Sequence, residues 1–195
     1  MTSISTLKTP RGRRARGSAD KSAAAPAGSR PLRAGESAAN SWYGGAKAPR
    51  AEGHLRLVEL YRADPMDRVE LVKTGIPAAG FVALASNLHM PKERLAITLG
   101  LARATVDRKI RDNKMLSPDE SSRVLGMASL VGQVQSLVAE SGRTDGFDAG
   151  AWVSNWLEQP VPALGGRRPA ELMDTSEGQA IVSRLVAQMQ SGAYA

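Results

Sequence analysis

Residues 163–178 read ALGGRRPAELMDTSEG, with two glycines, two arginines and a proline leading into an Asp-Thr-Ser-Glu-Gly cluster. Such a stretch could be a phosphate cradle, a catalytic loop, or a turn that feeds two helices. A P-loop needs a longer glycine-rich span ending in Gly-Lys-Ser/Thr after a strand, and a dinucleotide site needs Gly-x-Gly-x-x-Gly; neither is here. Arg167 and Arg168 could hold a phosphate, although two adjacent exposed arginines are usually a solvated turn. Asp174 or Thr175 has the chemistry of a helix N-cap, with Glu177 in the positive first turn. Catalysis has little to draw on. His54 and His89 are the only histidines, and neither stands in a motif with a carboxylate or nucleophile. With no cysteine, thiolate nucleophiles, disulfides and Cys-ligated metal centres are excluded. The expectation is a chain with no catalytic residues, no metal and no cofactor.

Charge is distributed unevenly. Residues 1–50 hold ten Lys/Arg against Asp20 and Glu36, a net of +8. The rest keeps 16 of the 26 basic and 17 of the 19 acidic residues, a net of −1. Residues 1–55 are rich in Gly, Ala, Ser, Pro and Arg, and cannot bury enough apolar surface to offset their ordering entropy, so a disordered basic tail is expected. Such a tail is either a polyanion-binding arm, acting through counterion release, or a solubilising extension. Its first residues, MTSISTLKTPRGRRARG, lack the apolar stretch of a secretory signal. No run of about 18 apolar residues appears, so no membrane span is expected, and the lack of cysteine fits an expected cytoplasmic location.

From Leu55 onward the pattern is helical. Asp64-Pro65 caps a helix carrying Val69, Val72 and Ile76, with Gly75 as its stop. Pro77 opens a second with Phe81, Leu84 and Leu88. Met90-Pro91 opens a third, and Ala104 begins a fourth. Ser117-Pro118-Asp119-Glu120 is a capping box that launches the longest helix, with Val124, Met127, Val131, Val134 and Val138 on one stripe. A short helix follows with Trp152 and Trp156, stopped by Pro160, and a last one with Ile181, Val182, Leu185, Val186 and Met189. No segment alternates with period two. The fold class is all-α.

Within ERLAITLGLARATVDRKI, residues 93–110, Ala96 permits close helix approach and Leu99 points inward. Gly100 can adopt the positive φ of a sharp turn, Leu101 plugs that turn, and Val106 anchors the next helix. This spacing resembles the helix-turn-helix of Xre-type bacterial repressors, whose second helix enters the major groove. On that assignment Arg103, Thr105, Asp107, Arg108 and Arg111 face outward as DNA-binding candidates. Lys109 departs from the pattern, standing where an apolar residue is common, and Asp107 would repel phosphates unless it accepts from cytosine.

The C-terminal part, from about Phe147, resembles the corresponding domain of Xre/MbcA/ParS-type antitoxins. The matching elements are Trp156-Leu157, the Pro160–Pro162 breaker, Ala163-Leu164-Gly165-Gly166, Pro169, Leu172, Asp174-Thr175, Glu177-Gly178, and a final helix closing on Ser191-Gly192-Ala193-Tyr194. The likeness implies domains at 56–116 (helix-turn-helix), 117–142 (central helix) and 143–195 (toxin-binding), behind the tail at 1–55. It implies a cognate RES-domain toxin that degrades NAD⁺, neutralised when the C-terminal region covers its active site, and operator DNA bound for autorepression. Toxin-binding positions carried over from the resemblance or suggested by residue type are Trp156, Leu164, Gly165, Gly166, Arg167 and Arg168, then Pro169, Asp174, Glu177, Gly178, Gly192 and Tyr194. Trp156 serves contact or core equally well. A homodimer is expected because one recognition helix reads few bases, with the central helix as its candidate seam. Two rival readings are a stand-alone helix-turn-helix regulator whose C-terminal part dimerises or binds a ligand, and an architectural DNA-binding protein driven by its tail.

Overall fold

A computed structural model describes residues 56–142 and 146–190, Gln190 by its backbone alone. The expected tail, His54 and the Gly192–Tyr194 end lie outside the described residues. Among those described, eight α-helices follow one another: α1 Leu57–Arg62, α2 Pro65–Thr74, α3 Ala78–Asn87, α4 Lys92–Thr98, α5 Arg103–Arg111, α6 Pro118–Glu140, α7 Ala149–Trp156 and α8 Ser176–Gln190. Two 3-10 turns, Pro162–Leu164 and Pro169–Leu172, fill the span between α7 and α8. There is no strand among these residues, only one antiparallel bridge between Pro77 and Met115. It ties the α2–α3 link to the α5–α6 link, the Leu116 N–H donating to the Ile76 carbonyl at 2.8 Å. No described helix is long and apolar enough to cross a membrane.

α6 is the axis of the molecule. It starts at the expected capping box, in which Ser117 Oγ accepts from the Glu120 N–H and the Glu120 carboxylate accepts from the Ser117 N–H. α1 and α2 pack on it from one side of the sequence, α7 and α8 from the other. Its buried residues lie around most of its circumference: Val124, Leu125, Met127, Leu130, Val131 and Val134 are all inside. The apolar pattern expected to form a dimer seam is therefore satisfied within one chain. One continuous core runs from Leu57 through Phe81, Leu99 and Met127 to Leu157, Met173 and Val186. The three expected segments beyond the tail thus share a single interior.

Two details differ from the periodicity reading. On α2 the buried residue is Leu71, whereas Val69 is 41% exposed; Ile76, counted into the same stripe, is buried beyond the helix end. α5 begins at Arg103, one residue early, because Ala102 at its N-cap is already extended.

Candidate functional site

The turn between α4 and α5 is built as its spacing implied. Ala96, Leu99, Leu101 and Val106 are buried, and the Leu101 N–H donates back to the Ala96 carbonyl at 2.8 Å. Gly100 has φ +60, and a Cβ there would lie 3.0 Å from that of Asp174. Both a left-handed backbone and a close neighbour thus demand glycine. The turn is held from α6: Arg123 donates to the carbonyls of Leu99 at 3.2 Å and Gly100 at 2.9 Å, and to Asp119 at 2.8 Å.

α5 presents Arg103, Arg108 and Arg111 to solvent, with Thr105 and Asp107 half-buried. Asp107 accepts from Lys92 of α4 at 2.7 Å. That hydrogen bond, with the Lys92 and Arg103 charges, holds the Asp107 carboxyl below its ordinary range and raises Lys92 above its own. The acid that threatened to repel phosphates is already engaged. Lys109 is likewise no blemish: its ammonium bonds Glu120, and both side chains are largely buried, at 17% and 13% exposure. Burial pushes the Glu120 carboxyl up, but the hydrogen bonds from Lys109 and Ser117 outweigh it and hold the group low. Lys109 therefore fixes the end of α5 to the start of α6.

The second cluster occupies the span after α7. Residues Val161 to Arg167 form a loop closed by two backbone bonds, Val161 N–H to the Arg167 carbonyl and Gly166 N–H to the Val161 carbonyl, each 3.0 Å. Gly165 and Gly166 have φ +65 and +79, with no neighbour close to a Cβ among the described residues, so it is the backbone conformation that favours glycine there. Leu164 is half-buried, and Arg167 is exposed. The arginine pair splits in role. Arg168 bonds Glu171 at 3.0 Å and Glu158 at 3.4 Å, while Glu158 also holds Arg94 of α4 at 2.8 Å. Its bond to Glu171 raises Arg168 and lowers Glu171. No ion pair engages Arg167 among the described residues.

The other expected contact residues differ in their exposure within this chain. Pro169 and Gly178 are buried, and a Cβ on Gly178 would lie 1.9 Å from the Leu172 carbonyl oxygen. Thr175 is the N-cap of α8, its Oγ1 accepting from the Gly178 N–H at 3.1 Å. Asp174 and Glu177 are exposed. Trp156 is half-buried, stacked on Trp152 with ring centroids 5.6 Å apart.

Two features were invisible in the sequence. Gln179, buried on α8, donates to the Arg123 carbonyl at 3.0 Å and the Met173 carbonyl at 2.9 Å, and so joins the loop to the residue that holds the α4–α5 turn. His89 meets Asp148 at 2.7 Å across 59 residues. Asp148 is itself the α7 N-cap, and the Ala151 N–H first and His89 next keep its carboxyl low. Among the described residues no three His, Cys, Asp or Glu side chains gather into a metal site.

Comparison with known proteins places the two clusters in two family domains. The family model for the antitoxin Xre-like helix-turn-helix domain matches residues 67–129, and that for the antitoxin Xre/MbcA/ParS C-terminal toxin-binding domain matches residues 145–192. A Prs ADP-ribosylating antitoxin of Sphingobium sp. (strain YBL2) is 52% identical over 136 residues, 70% of this chain and 86% of the relative. The chain belongs to the Xre/MbcA/ParS antitoxin family. An Antitoxin Xre of Yersinia enterocolitica is more distant, 22% identical over 134 residues, 67% of this chain and 85% of that one. In this antitoxin the helix-turn-helix match spans α2 to the middle of α6, and the toxin-binding match takes in α7, the double-glycine loop and α8.

Proposed function

We propose that this antitoxin neutralises a RES-domain toxin that consumes NAD⁺, by laying the Val161–Glu177 surface over the access route to the toxin's dinucleotide pocket. The observation that carries the reading is the double-glycine loop. It is exposed and closed on itself by backbone bonds, and its two left-handed glycines bring no side chain that would keep another backbone at a distance. Leu164, Gly165, Gly166 and Arg167 would make contact, with Asp174 and Glu177 beside them. Pro169, Arg168 and Gly178 would hold the surface in shape. The Sphingobium relative's name carries ADP-ribosylation, a reaction that takes ADP-ribose from NAD⁺ and releases nicotinamide, in keeping with a partner that uses this dinucleotide.

The same chain would repress its own operon as a homodimer, placing α5 of each copy in the major groove of a two-fold operator. Arg103, Arg108 and Arg111 favour this, being exposed cations on one short helix.

The test is co-expression with the RES-domain toxin in a bacterial host, reading growth and cellular NAD⁺. Ending the chain at Met173 would be uninformative, because α8 supplies Val182, Leu185 and Val186 to the core. The decisive variant is Gly165→Ala with Arg167→Glu, its fold checked by thermal melting. Rescue by the wild type and failure by the folded variant is expected. Equal rescue by both would dismiss occlusion by this loop.

A further inference from the structure

The solvent side of α5 carries more than positive charge. On a helix of 3.6 residues per turn, Val106 and Ile110 point inward and Lys109 turns to Glu120. The strip opposite runs Ala104, Arg108, Arg111, all exposed. Asp107, at the edge of that strip, is drawn aside to Lys92, which removes a carboxylate that would repel both phosphates and the guanine acceptors. Arg108 makes no ion pair among the described residues, and Arg111 reaches Asp112 only at 3.8 Å. The strip therefore offers one methyl group and one uncommitted guanidinium, a helical turn apart, with Arg103 at the N-terminal end.

Those two groups have distinct counterparts on base edges. A methyl side chain packs against the thymine C5-methyl, and a guanidinium donates two parallel hydrogen bonds to guanine O6 and N7. Four residues advance a helix by about 6 Å, and stacked base pairs are about 3.4 Å apart, so the two contacts fall within two base pairs of each other. We propose that α5 reads a thymine and a nearby guanine in the major groove, Ala104 packing on the thymine methyl and Arg108 bonding the guanine, while Arg103 and Arg111 take the flanking phosphates. The inference rests on the DNA-binding reading above and adds to it the bases read and the residues that read them. Asp107 and Thr105 then read no base.

The experiment is selection of a randomised duplex pool by the full-length protein, in parallel with Arg108→Ala and Ala104→Gly, each shown by melting to be folded. The wild type is expected to enrich a guanine with a thymine close by in each half-site. Arg108→Ala should lose the preference at that guanine and bind the selected duplex about tenfold or more weakly. Deoxyuridine in place of that thymine should weaken the wild type about fourfold, the worth of one buried methyl group, and leave Ala104→Gly unchanged. If Arg108→Ala keeps the guanine preference, or deoxyuridine costs the wild type nothing, the base assignment is overturned and DNA binding stands. If no duplex is enriched by the wild type, the DNA-binding reading itself falls.

Discussion

The α4–α5 pair and the Val161–Gly178 span are tied to the same central helix by different means. The helix pair is fastened through side chains: Leu95, Leu99 and Val106 are buried in the core, Lys109 is clamped to Glu120, and Arg123 reaches across to the turn. The span after α7 has fewer anchors, chiefly Val161, Pro169 and Met173, and takes its shape from backbone bonds and left-handed glycines. On the proposed reading this gives a division of labour. On α5 the exposed surface carries long side chains, so recognition there would be chemical. The double-glycine loop exposes its backbone, so recognition there would depend more on shape.

If both regions truly share one interior, damage in the first must be felt in the second. Phe81 on α3 is fully buried, and Phe81→Ala should remove about 3–5 kcal/mol. Urea unfolding read by helical circular dichroism and by the fluorescence of the Trp152–Trp156 stack should shift together to lower midpoints. A fluorescence midpoint left in place would separate the two regions and break the comparison.

How much of this was legible in advance follows the same division. Helices, caps and the α4–α5 turn could be read because each depends on residues a few positions apart, as in Ser117 with Glu120 or Ala96 with Leu101. The α2 face could not, since Leu71 is selected by the surface of α6 and not by local spacing. Pairs such as Lys109 with Glu120, Lys92 with Asp107 and His89 with Asp148 belong to tertiary structure. For the same reason Lys109 read as a departure from the pattern, and the burial of Pro169 and Gly178 could not be foreseen. Nothing in their own neighbourhood tells a residue that shapes a loop from one that touches a partner.

The Lys109–Glu120 clamp gives the next effect in size. Lys109→Ala leaves a largely buried carboxylate without its cation and should cost about 2 kcal/mol at neutral pH. Because Glu120 is held below the ordinary carboxylate range, its contribution is present above that range and is lost as pH falls through the depressed folded value. Wild-type urea midpoints should therefore fall more steeply on acidification than those of Lys109→Ala. Parallel pH profiles would show that the clamp contributes nothing.

The glycines of the second region sharpen the contrast further. Gly165→Ala must place a side chain at φ +65 in open space and should cost about 1–2 kcal/mol, with toxin neutralisation reduced and duplex binding unchanged. A loss of duplex binding equal to the loss of neutralisation would mean that the loop and α5 are not separable, coupled through the hydrogen bond from Gln179 to the Arg123 carbonyl and the Arg168–Glu158–Arg94 ion pairs.

The smallest stability change tests the largest functional claim. Arg167 is exposed, with no ion pair among the described residues, so Arg167→Glu should alter stability by less than about 0.5 kcal/mol. Arg168→Glu is the control: it reverses a charge that Glu158 and Glu171 already hold, and so disturbs the loop's support and not its outer face. If the loop meets an acidic rim on the toxin, the Arg167 variant loses affinity with its melting temperature intact, measured by titration calorimetry against purified toxin. The Arg168 variant would instead lose both together. Affinity unchanged in a folded Arg167→Glu would mean that the loop binds through its backbone alone, with the basic side chain a bystander.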